Sequence, residues 1–357
     1  MQHRILTIDA RLLFSWGVGT YLQNLLKRIR FESLGLKIEI CARDEYAASW
    51  IGQYQSNATL KICPLEAYGF KEQLFWLKNL RGGLFWAPNF NIPWGGYEKL
   101  IATVHDCHPL TPLESYLNHM YAQVMFARLS QKADAIITVS DFSRRELQSQ
   151  AKVLDTPIYT IPNGVDPYWF ASQKPPRIYH FPYFVFVGNA SPHKNLLRLL
   201  RAFNKIHPAQ KLICVGAFED PRQRQSKAGR LLKKMSERVI VTGRVGNEEL
   251  RAIVKNADGL ILPSLYEGFG LPAVEAMAAK VPVLVSETSA LPEVCGKGAL
   301  YCDPYTTEGI AEGLEALVNL KGEELQRRVE EGSEHARQYN WDASARATLE
   351  VFKSALT

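Results

Sequence analysis

Short β-branched runs alternate with amphipathic helical segments from one end of the chain to the other. This alternation is typical of parallel sheets whose strands are joined by covering helices. In the helical segments apolar residues recur every three or four positions, as Leu22, Leu25, Leu26 and Ile29 do after the first strand. The pattern therefore predicts an α/β protein. The predicted strands are RILTID, LKIEIC, TLKIC, LIATVHD, AIITVS and IYTIPN in the first half, and YFVFVGN, KLICVGA, RVIVTG, GLILPS, VPVLVS and ALYCDP in the second.

A proline-rich stretch separates the two halves. Residues 162–182 hold five prolines and no clear period, as linkers between domains do. Because 357 residues exceed one core of ordinary size, we predict two domains, over 1–170 and 171–340, followed by a helix over 341–357 with an apolar face to bury. Both domains are expected to be doubly wound, with ligand-binding loops at the carboxyl ends of their strands facing a cleft.

Composition narrows the class of partner. The 42 basic and 36 acidic side chains give a net charge of +6, which fits an anionic ligand or a weak attraction to a membrane surface. This excess is too small and scattered to indicate nucleic-acid binding. Its densest part, residues 222–234, is either a solvated helix face or a contact with anionic lipid.

The cysteines and the apolar runs indicate a location. Six cysteines form neither a C-x-x-C pair nor a zinc-spaced group, so a reducing cytoplasm is expected. No signal peptide and no run near the ~20 apolar residues that span a bilayer is found. Membrane contact, if any, is expected to be peripheral, at the inner face of the cell membrane.

Two glycines follow the first strand where it turns into a helix. Without Cβ atoms, Gly17 and Gly19 would let the backbone approach a phosphate or sugar at a helix amino terminus. A dinucleotide fingerprint is disfavoured, because Leu22 replaces its third glycine and Glu39, at the spacing of the ribose-binding acid, is flanked by strand residues. A glycine pair needed only for a tight turn is the alternative.

The segment TVHDCHPL places His105, Asp106 and His108 at the end of a strand, where parallel sheets bind ligands. We expect a ligand role for His105, with a structural role as the alternative and as the favoured one for His108. Metal binding is not expected there, because no third ligand is spaced to join them.

In the second half, FVGNASPHKNLLRLLRAF reads as strand, turn and helix. Ser191 suits the N-cap and Pro192 the first helical position, which places Lys194 in the first turn. The helix dipole disfavours a cation there, and a bound anion would remove the conflict. The alternative is a solvated lysine that tolerates a penalty below ~1 kcal/mol.

The stretch PSLYEGFGLPAVEAMA holds Glu267 and Glu275 on either side of a glycine-rich turn into a helix. The N–H groups of residues 268–271 are expected to bind hydroxyls or phosphate oxygens. Carboxylates only accept hydrogen bonds, so each glutamate suits pairs of sugar hydroxyls. The alternative is that both simply cap the helix end. The four residues of this turn are Gly268, Phe269, Gly270 and Leu271.

This motif resembles the E-x7-E signature of the retaining glycosyltransferases of family 4, which have the GT-B fold of two Rossmann-like domains. The segments WGVGTY, TVHDCHPLTP, ADAIITVSDFSRREL, IPNGVD, VGNASPHKNLLRLLRAF and SALPEVCGKGALYCDP are similar to that family's segments and stand in its order. The similarity covers nearly the whole chain. It implies that the second domain binds a nucleotide-diphosphate sugar, the first binds the acceptor, and the last helix crosses back onto the first domain.

The resemblance also implies roles for single residues of the second domain. Glu275 is expected to hold the ribose hydroxyls, and Glu267, with the amides of Phe269 and Gly270, the donor hexose. Lys194 is expected to meet the diphosphate.

It further implies that His105 lies near the reacting carbon of the transferred sugar. Gly17 and Gly19 would let the first helix approach the phosphate or acceptor, and the backbone at Arg244 and Val245 would read the base.

One position departs from the family. Many members carry an arginine straight after the first strand of the second domain, where this chain has Asn189. His193 stands where close relatives have arginine. The second cation on the diphosphate is left open between His193, Arg244 and helix N–H donors.

The implied reaction is a metal-independent, retaining transfer of a hexose from UDP-hexose such as UDP-glucose, or from GDP-mannose. The acceptor would be a sugar or lipid-linked saccharide in surface polysaccharide synthesis. No cofactor is expected, and the D-x-D metal motif is absent from the sequence. A nucleotide-sugar epimerase of the same architecture and a non-catalytic sugar-nucleotide binding protein are the alternatives.

Overall fold

The computed structural model describes residues 5–218 and 226–356. The chain divides into two compact units, one comprising Met1–Gly164 and Asn340–Thr357 and the other Val165–Tyr339. Of the basic stretch 222–234, residues 222–225 lie outside the described residues.

The first unit is built on a sheet of seven parallel strands. Its strands are β1 (Ile5–Asp9), β2 (Lys37–Ala42), β3 (Thr59–Ile62), β4 (Leu84–Ala87), β5 (Lys99–Val104), β6 (Ala135–Thr138) and β7 (Ile158–Thr160). The strand order is β3-β2-β1-β4-β5-β6-β7. Its helices before the second unit are α1 (Val18–Arg28), α2 (Glu45–Gly52), α3 (Phe70–Asn79), α4 (Tyr116–Lys132) and α5 (Asp141–Ser149), with 3₁₀ turns at Phe31–Leu34 and His108–Leu110.

The second unit repeats this plan with six parallel strands. Its strands are β8 (Tyr183–Val187), β9 (Lys211–Val215), β10 (Val239–Gly243), β11 (Gly259–Leu262), β12 (Val283–Ser286) and β13 (Leu300–Cys302), in the order β10-β9-β8-β11-β12-β13. Its helices are α6 (Leu196–Ile206), α7 (Lys227–Lys234), α8 (Asn247–Lys255), α9 (Leu271–Ala278), α10 (Leu291–Cys295), α11 (Thr307–Asn319) and α12 (Gly322–Ala336), with 3₁₀ turns at Pro167–Trp169, Pro192–Lys194 and Gly296–Gly298.

After the second unit the chain returns to the first through α13 (Trp341–Leu356). The ring of Phe352 lies 5.7 Å from that of Phe31 and 5.3 Å from that of Trp86, and all three side chains are buried. Arg28 of α1 donates to the Asp342 carboxylate at 2.9 Å. An aromatic contact thus holds the last helix in the first unit.

The strand orders are those of doubly wound sheets, so the predicted α/β class with two Rossmann-like domains is confirmed. In each sheet the order reverses between two central strands, β1 and β4 in the first and β8 and β11 in the second. The register pairs Leu6 with Leu84 in the first sheet and Phe184 with Gly259 in the second. Loops leaving these strands diverge and open a crevice, which is where such sheets bind ligands.

Strand β4 was not among the predicted strands. Its four residues are all apolar and at least 98% buried, between β1 and β5. A run so short, set between two glycines and a proline, shows no alternation to mark it as a strand. The aromatic stretch 84–97 that contains it is therefore largely core, although Trp94 is 41% exposed.

All six cysteines are buried free thiols. Within the residues that the structure describes, no helix is both long enough and apolar enough to cross a membrane.

Candidate functional site

The loops that carry the predicted donor-binding residues leave one edge of the second sheet. Lys194 lies in the loop after β8 and Glu267 in the loop after β11, so the two flank the point where the strand order reverses. Arg244 and Val245 follow β10, two strands from β8 and therefore about 10 Å away along the sheet. The structure thus brings these four residues to the edge where parallel sheets bind ligands.

Lys194 and Glu267 form an ion pair across this reversal point. The Lys194 Nζ to Glu267 Oε1 distance is 2.6 Å, and the side chains are 19% and 11% exposed. The Ser264 hydroxyl donates to the same Oε1 at 2.7 Å, and the Glu267 N–H donates to the Ser289 hydroxyl at 3.1 Å. The carboxylate is therefore held in position, and the ammonium is already neutralised by an anion of the chain itself.

The helix after β8 does not begin where the sequence indicates. Ser191 precedes a single 3₁₀ turn and makes no side-chain capping bond, and Asn195 then adopts the left-handed conformation with φ of 61°. Its side-chain amide donates to the carbonyls of Pro263 at 2.9 Å and Pro304 at 2.7 Å. These buried bonds break the helix, so α6 starts after Lys194, and the lysine escapes the unfavourable position predicted for it.

The turn before α9 is shaped by Gly270. This residue has φ of 93°, and a Cβ atom there would lie 2.5 Å from Cδ2 of Leu291. The left-handed conformation requires glycine at this point, and a side chain would also displace Leu291. The buried ring of Phe269 packs edge-on against Tyr339 at 5.1 Å, which fixes the segment between Glu267 and the helix. The backbone of residues 268–271 is thereby held at the start of α9.

Glu275 lies one turn into α9, beside the 3₁₀ turn Pro167–Trp169. Burial raises the pKa of Glu275 to about 8, and the negative charge of Asp166 adds to the rise. The indole N–H of Trp169 lies nearby and partly offsets this rise in pKa. It makes no direct hydrogen bond to a described residue. Glu275 is therefore a carboxyl that changes its charge near neutral pH in the unliganded protein.

Asn189 and His193, in the loop after β8, form hydrogen bonds that shape the loop itself. Asn189 accepts a hydrogen bond from the Ser191 N–H at 3.1 Å, which closes a turn, and the His193 carbonyl accepts from the Leu265 N–H at 2.7 Å. The second bond ties the lysine loop to the glutamate loop. Asn189 thus serves the turn that positions Lys194, where the family arginine would supply charge.

In the first unit, His105 follows β5 and packs edge-on against the ring of Tyr21 at 4.8 Å. Its Nε2 lies 2.9 Å from the Pro88 carbonyl, and burial lowers the pKa of the imidazole. Because a carbonyl can only accept, Nε2 carries the proton of the neutral ring and Nδ1 is an acceptor. The structure therefore holds His105 as an oriented, neutral imidazole.

The neighbouring polar residues stabilise the turn after β5. The Asp106 carboxylate accepts from the His108 N–H at 2.9 Å, and the His108 ring lies 3.6 Å from Glu114. His108 is 8% exposed. Its surroundings favour the structural role. Among the described residues, no group of three or more potential metal ligands of the His, Cys, Asp and Glu types occurs.

Gly17 and Gly19 are both accounted for by the backbone around them. Gly17 precedes α1 with φ of 49°, and a Cβ atom on Gly19 would lie 2.6 Å from the Leu13 carbonyl oxygen. The tight turn alone is therefore enough to require glycine at Gly19. A Cβ atom on Gly17 would meet no described atom within 4 Å, so its positive φ alone accounts for glycine there.

Comparison with known proteins identifies the family. A sequence model described as "Glycosyl transferases group 1" matches residues 169–335, and one described as "Glycosyltransferase Family 4" matches residues 85–169. Over 94% of this chain and 96% of the relative, the sequence is 27% identical to O-antigen chain mannosyltransferase B of Escherichia coli. O-antigen chain mannosyltransferase RfbU of Salmonella typhimurium is 29% identical over 57% of this chain and 56% of its own length.

Solved structures give the same assignment of fold. HepE of Anabaena, in complex with UDP and glucose, matches with a TM-score of 0.76 and 16% identity, over 99% of this chain and 100% of its own. Sucrose-phosphate synthase of Thermosynechococcus elongatus matches with a TM-score of 0.75 and 16% identity, over 99% of both chains. The chain is a family 4-like glycosyltransferase with the GT-B fold.

Sequence reasoning missed several residues that shape the site of this glycosyltransferase. Ser264 supports Glu267, Asn195 ends the lysine loop, and Trp169 with Asp166 surrounds Glu275. Ser264 lies three residues before Glu267 and could have been suspected from that spacing. The contact of residues 166–169 with α9 has no local signal, because those residues lie about a hundred positions away in the sequence.

Proposed function

We propose that this glycosyltransferase moves a hexose, with retention of anomeric configuration, from a UDP- or GDP-sugar to a saccharide or lipid-linked saccharide in surface polysaccharide synthesis. The observation that carries the proposal is the Lys194–Glu267 pair at the reversal point of the second sheet. The relatives named as O-antigen mannosyltransferases favour mannose, and the HepE complex with UDP-glucose favours a nucleotide sugar as donor.

In this proposal the second unit binds the donor. Lys194 meets the diphosphate, and Glu267 uses Oε2 for the hexose hydroxyls, since its intramolecular partners both engage Oε1. The amides of residues 268–271 face the hexose and the phosphates. Glu275 accepts from the ribose hydroxyls in its ionised form, in which both carboxylate oxygens are acceptors.

Three further groups contribute to the proposed site. The backbone at Arg244 and Val245 contacts the base, and Gly17 with Gly19 lets α1 approach the phosphate or the acceptor. His105 accepts a hydrogen bond from the transferred sugar through Nδ1, the nitrogen that its bond to Pro88 leaves as an acceptor.

The reaction we propose breaks the bond between C1 of the sugar and the diphosphate oxygen. The acceptor oxygen bonds to C1 from the same face, and its proton passes to the departing phosphate oxygen. Negative charge accumulates on the leaving diphosphate, and Lys194 together with preorganised N–H groups stabilises it. We propose that no divalent metal is needed.

A thermal-shift panel of UDP, GDP, UDP-glucose and GDP-mannose tests the donor. A nucleotide at about 100 times its Kd should stabilise the protein by about 2.7 kcal/mol. Transfer to a saccharide acceptor is then measured with and without EDTA, and the anomeric configuration of the product is read by NMR. Loss of transfer in EDTA would overturn metal independence, and an inverted linkage would overturn retention.

The same experiment separates the rival functions. Conversion of the donor sugar to its epimer without an acceptor would identify an epimerase. Binding without turnover, across a panel of saccharide acceptors, would indicate a non-catalytic binding protein. If none of the four nucleotides stabilises the protein, the assignment of the donor site is wrong.

A further inference from the structure

Helix α3 of the first unit turns an apolar face outward as well as one inward. Trp76 and the polar side chains of Glu72 and Gln73 are buried against the rest of the unit. On the opposite side, Phe70 is 63% exposed and Leu74 and Leu77 are exposed as well. These three residues recur at helical spacing, so they form one stripe on the surface.

Helix α4 has the same two-sided character. It buries Met125 and other apolar residues in the core, yet Tyr116 and Leu117 are 76% and 77% exposed. Met120 and Val124 continue outward at intervals of four residues. A helix at the surface of a soluble domain ordinarily shows polar side chains there.

Trp94 joins the two stripes. Its ring packs edge-on against Phe70 at 5.4 Å, and its carbonyl accepts from Arg128 of α4 at 2.8 Å. The outward side chains of α3 and α4 therefore form one continuous surface with Trp94. We call this surface the α3–α4 face.

The exposed charged side chains of α3 and α4 themselves are basic, and the acidic residues Glu114 and Asp134 flank α4. Lys71 and Lys78 are exposed beside the apolar stripe of α3, and Lys132 is exposed at the end of α4. Glu72 is the one acidic residue of α3 and is fully buried, and α4 contains no aspartate or glutamate. The Glu114 carboxylate lies 3.6 Å from the His108 ring and accepts from the Asn118 side-chain amide at 2.9 Å.

We propose that the α3–α4 face docks the protein in the plane of an anionic lipid bilayer. Aliphatic side chains would enter the acyl boundary, aromatic rings would lie at headgroup depth, and the lysines would meet anionic headgroups. Contiguous apolar surface of this kind marks a contact with a partner or a membrane. A second copy fits poorly, because a two-fold contact would bring two positively charged faces together.

This inference does not depend on the identity of the donor. The test is co-sedimentation of the full chain with vesicles of phosphatidylcholine and phosphatidylglycerol in equal amounts, and with vesicles of phosphatidylcholine alone. We expect binding to the mixed vesicles that weakens as salt is added, and little binding to phosphatidylcholine alone.

Variants locate the contact. Leu74→Gln with Leu117→Gln should lower partitioning onto the mixed vesicles by about tenfold or more, because two inserted leucines are lost. The matched control is Leu154→Gln, which alters a leucine that is 73% exposed and lies outside both helices. Surface changes of this kind should leave the melting temperature unchanged, which serves as the check on folding. Lys71→Gln with Lys78→Gln should reduce the response of binding to salt.

Three outcomes would overturn the proposal. One is failure of the wild-type chain to bind the mixed vesicles. Another is equal binding by the leucine double variant and the Leu154→Gln control. The third is a dimer in sedimentation velocity that the leucine double variant abolishes, which would assign the face to a second copy. Donor binding, measured in parallel by thermal shift, reports separately on the proposed function.

Discussion

At the scale of single residues, the second unit holds the two glutamates of one motif in different surroundings. Glu267 accepts from Lys194 and Ser264. Among the described residues no cation forms an ion pair with Glu275, and burial together with the Asp166 charge raises its pKa to about 8. The two glutamates are therefore expected to respond differently to substitution.

Replacing Lys194 with methionine should lower both stability and turnover, and a second substitution at Glu267 should separate the two effects. The change leaves the Glu267 carboxylate with only its hydroxyl donor, so we expect a loss of about 1–3 kcal/mol in the free energy of unfolding. Turnover should fall about 100-fold or more, because one preorganised charge at the leaving group is removed. Lys194→Met combined with Glu267→Gln should regain most of the stability in denaturant unfolding and none of the activity. Equal recovery of both would show that the pair is structural only.

The raised pKa of Glu275 predicts how the stability of the protein changes with pH. The pKa of Glu275 is about 8 in the folded protein, above the ordinary glutamate value of about 4.3. Between these two pH values the folded state holds a proton that the unfolded state has lost. Stability contributed by this group is therefore lost as pH rises from about 4.3 to about 8. Glu275→Gln should make the protein more stable than wild type by about 1–3 kcal/mol at pH 8 to 9, and should change little near pH 4.5. Chemical denaturation across this range provides the measurement.

Donor binding should show the opposite trend if Glu275 holds the ribose as a carboxylate. Affinity for UDP or GDP should rise with pH and level off above about pH 8, because ligand binding then no longer requires loss of a proton. Glu275→Gln should bind more weakly and without this dependence in isothermal titration. Asp166→Asn should move the plateau to lower pH, since one cause of the raised pKa is removed. A wild-type affinity that is flat with pH would contradict the ribose role.

At the scale of elements, the junctions between strands and helices position the site. The strands of the second sheet and the residue pattern of its helices follow from period and composition, and all six predicted strands are present. The sequence pattern does not predict where α6 starts, because the Asn195 side chain donates to two carbonyls in loops far along the chain. Local capping signals at Ser191 and Pro192 lose to these tertiary bonds. For the same reason, the surroundings of Glu275 could not be read from its own helix.

Asn195 allows the junction to be tested directly. Asn195→Ala removes two buried hydrogen bonds and places a Cβ-bearing residue without a compensating side chain in the left-handed region, so we expect a loss of about 2–4 kcal/mol in stability. Asn195→Gly keeps the backbone conformation accessible and should lose less. Both variants should lower activity, since the turn that carries Lys194 is released. Wild-type activity in Asn195→Ala would mean that this junction does not position the lysine.

At the scale of the whole molecule, the chain leaves the first unit, builds the second and returns through α13. The apolar spacing of this helix predicts a buried face, and its actual stripe contains Trp341, Ala345 and Phe352, with Leu349 only partly buried. Which unit receives that face depends on Phe31 and Trp86, more than two hundred residues earlier. Periodicity therefore predicts that the helix packs, and only the fold decides where.

Phe352→Ala tests whether the returning helix is part of the first unit's core. Phe352 is fully buried between the rings of Phe31 and Trp86, so the truncation should cost about 3–5 kcal/mol. Hydrogen exchange followed by mass spectrometry should show faster exchange in residues 5–164 and 341–356, with residues 165–339 little changed. Exposed Lys353→Ala on the same helix is the control, because its ion pair with Glu350 lies at the surface and contributes little. Faster exchange confined to the second unit would show that α13 stabilises a different core from the one its aromatic contacts indicate.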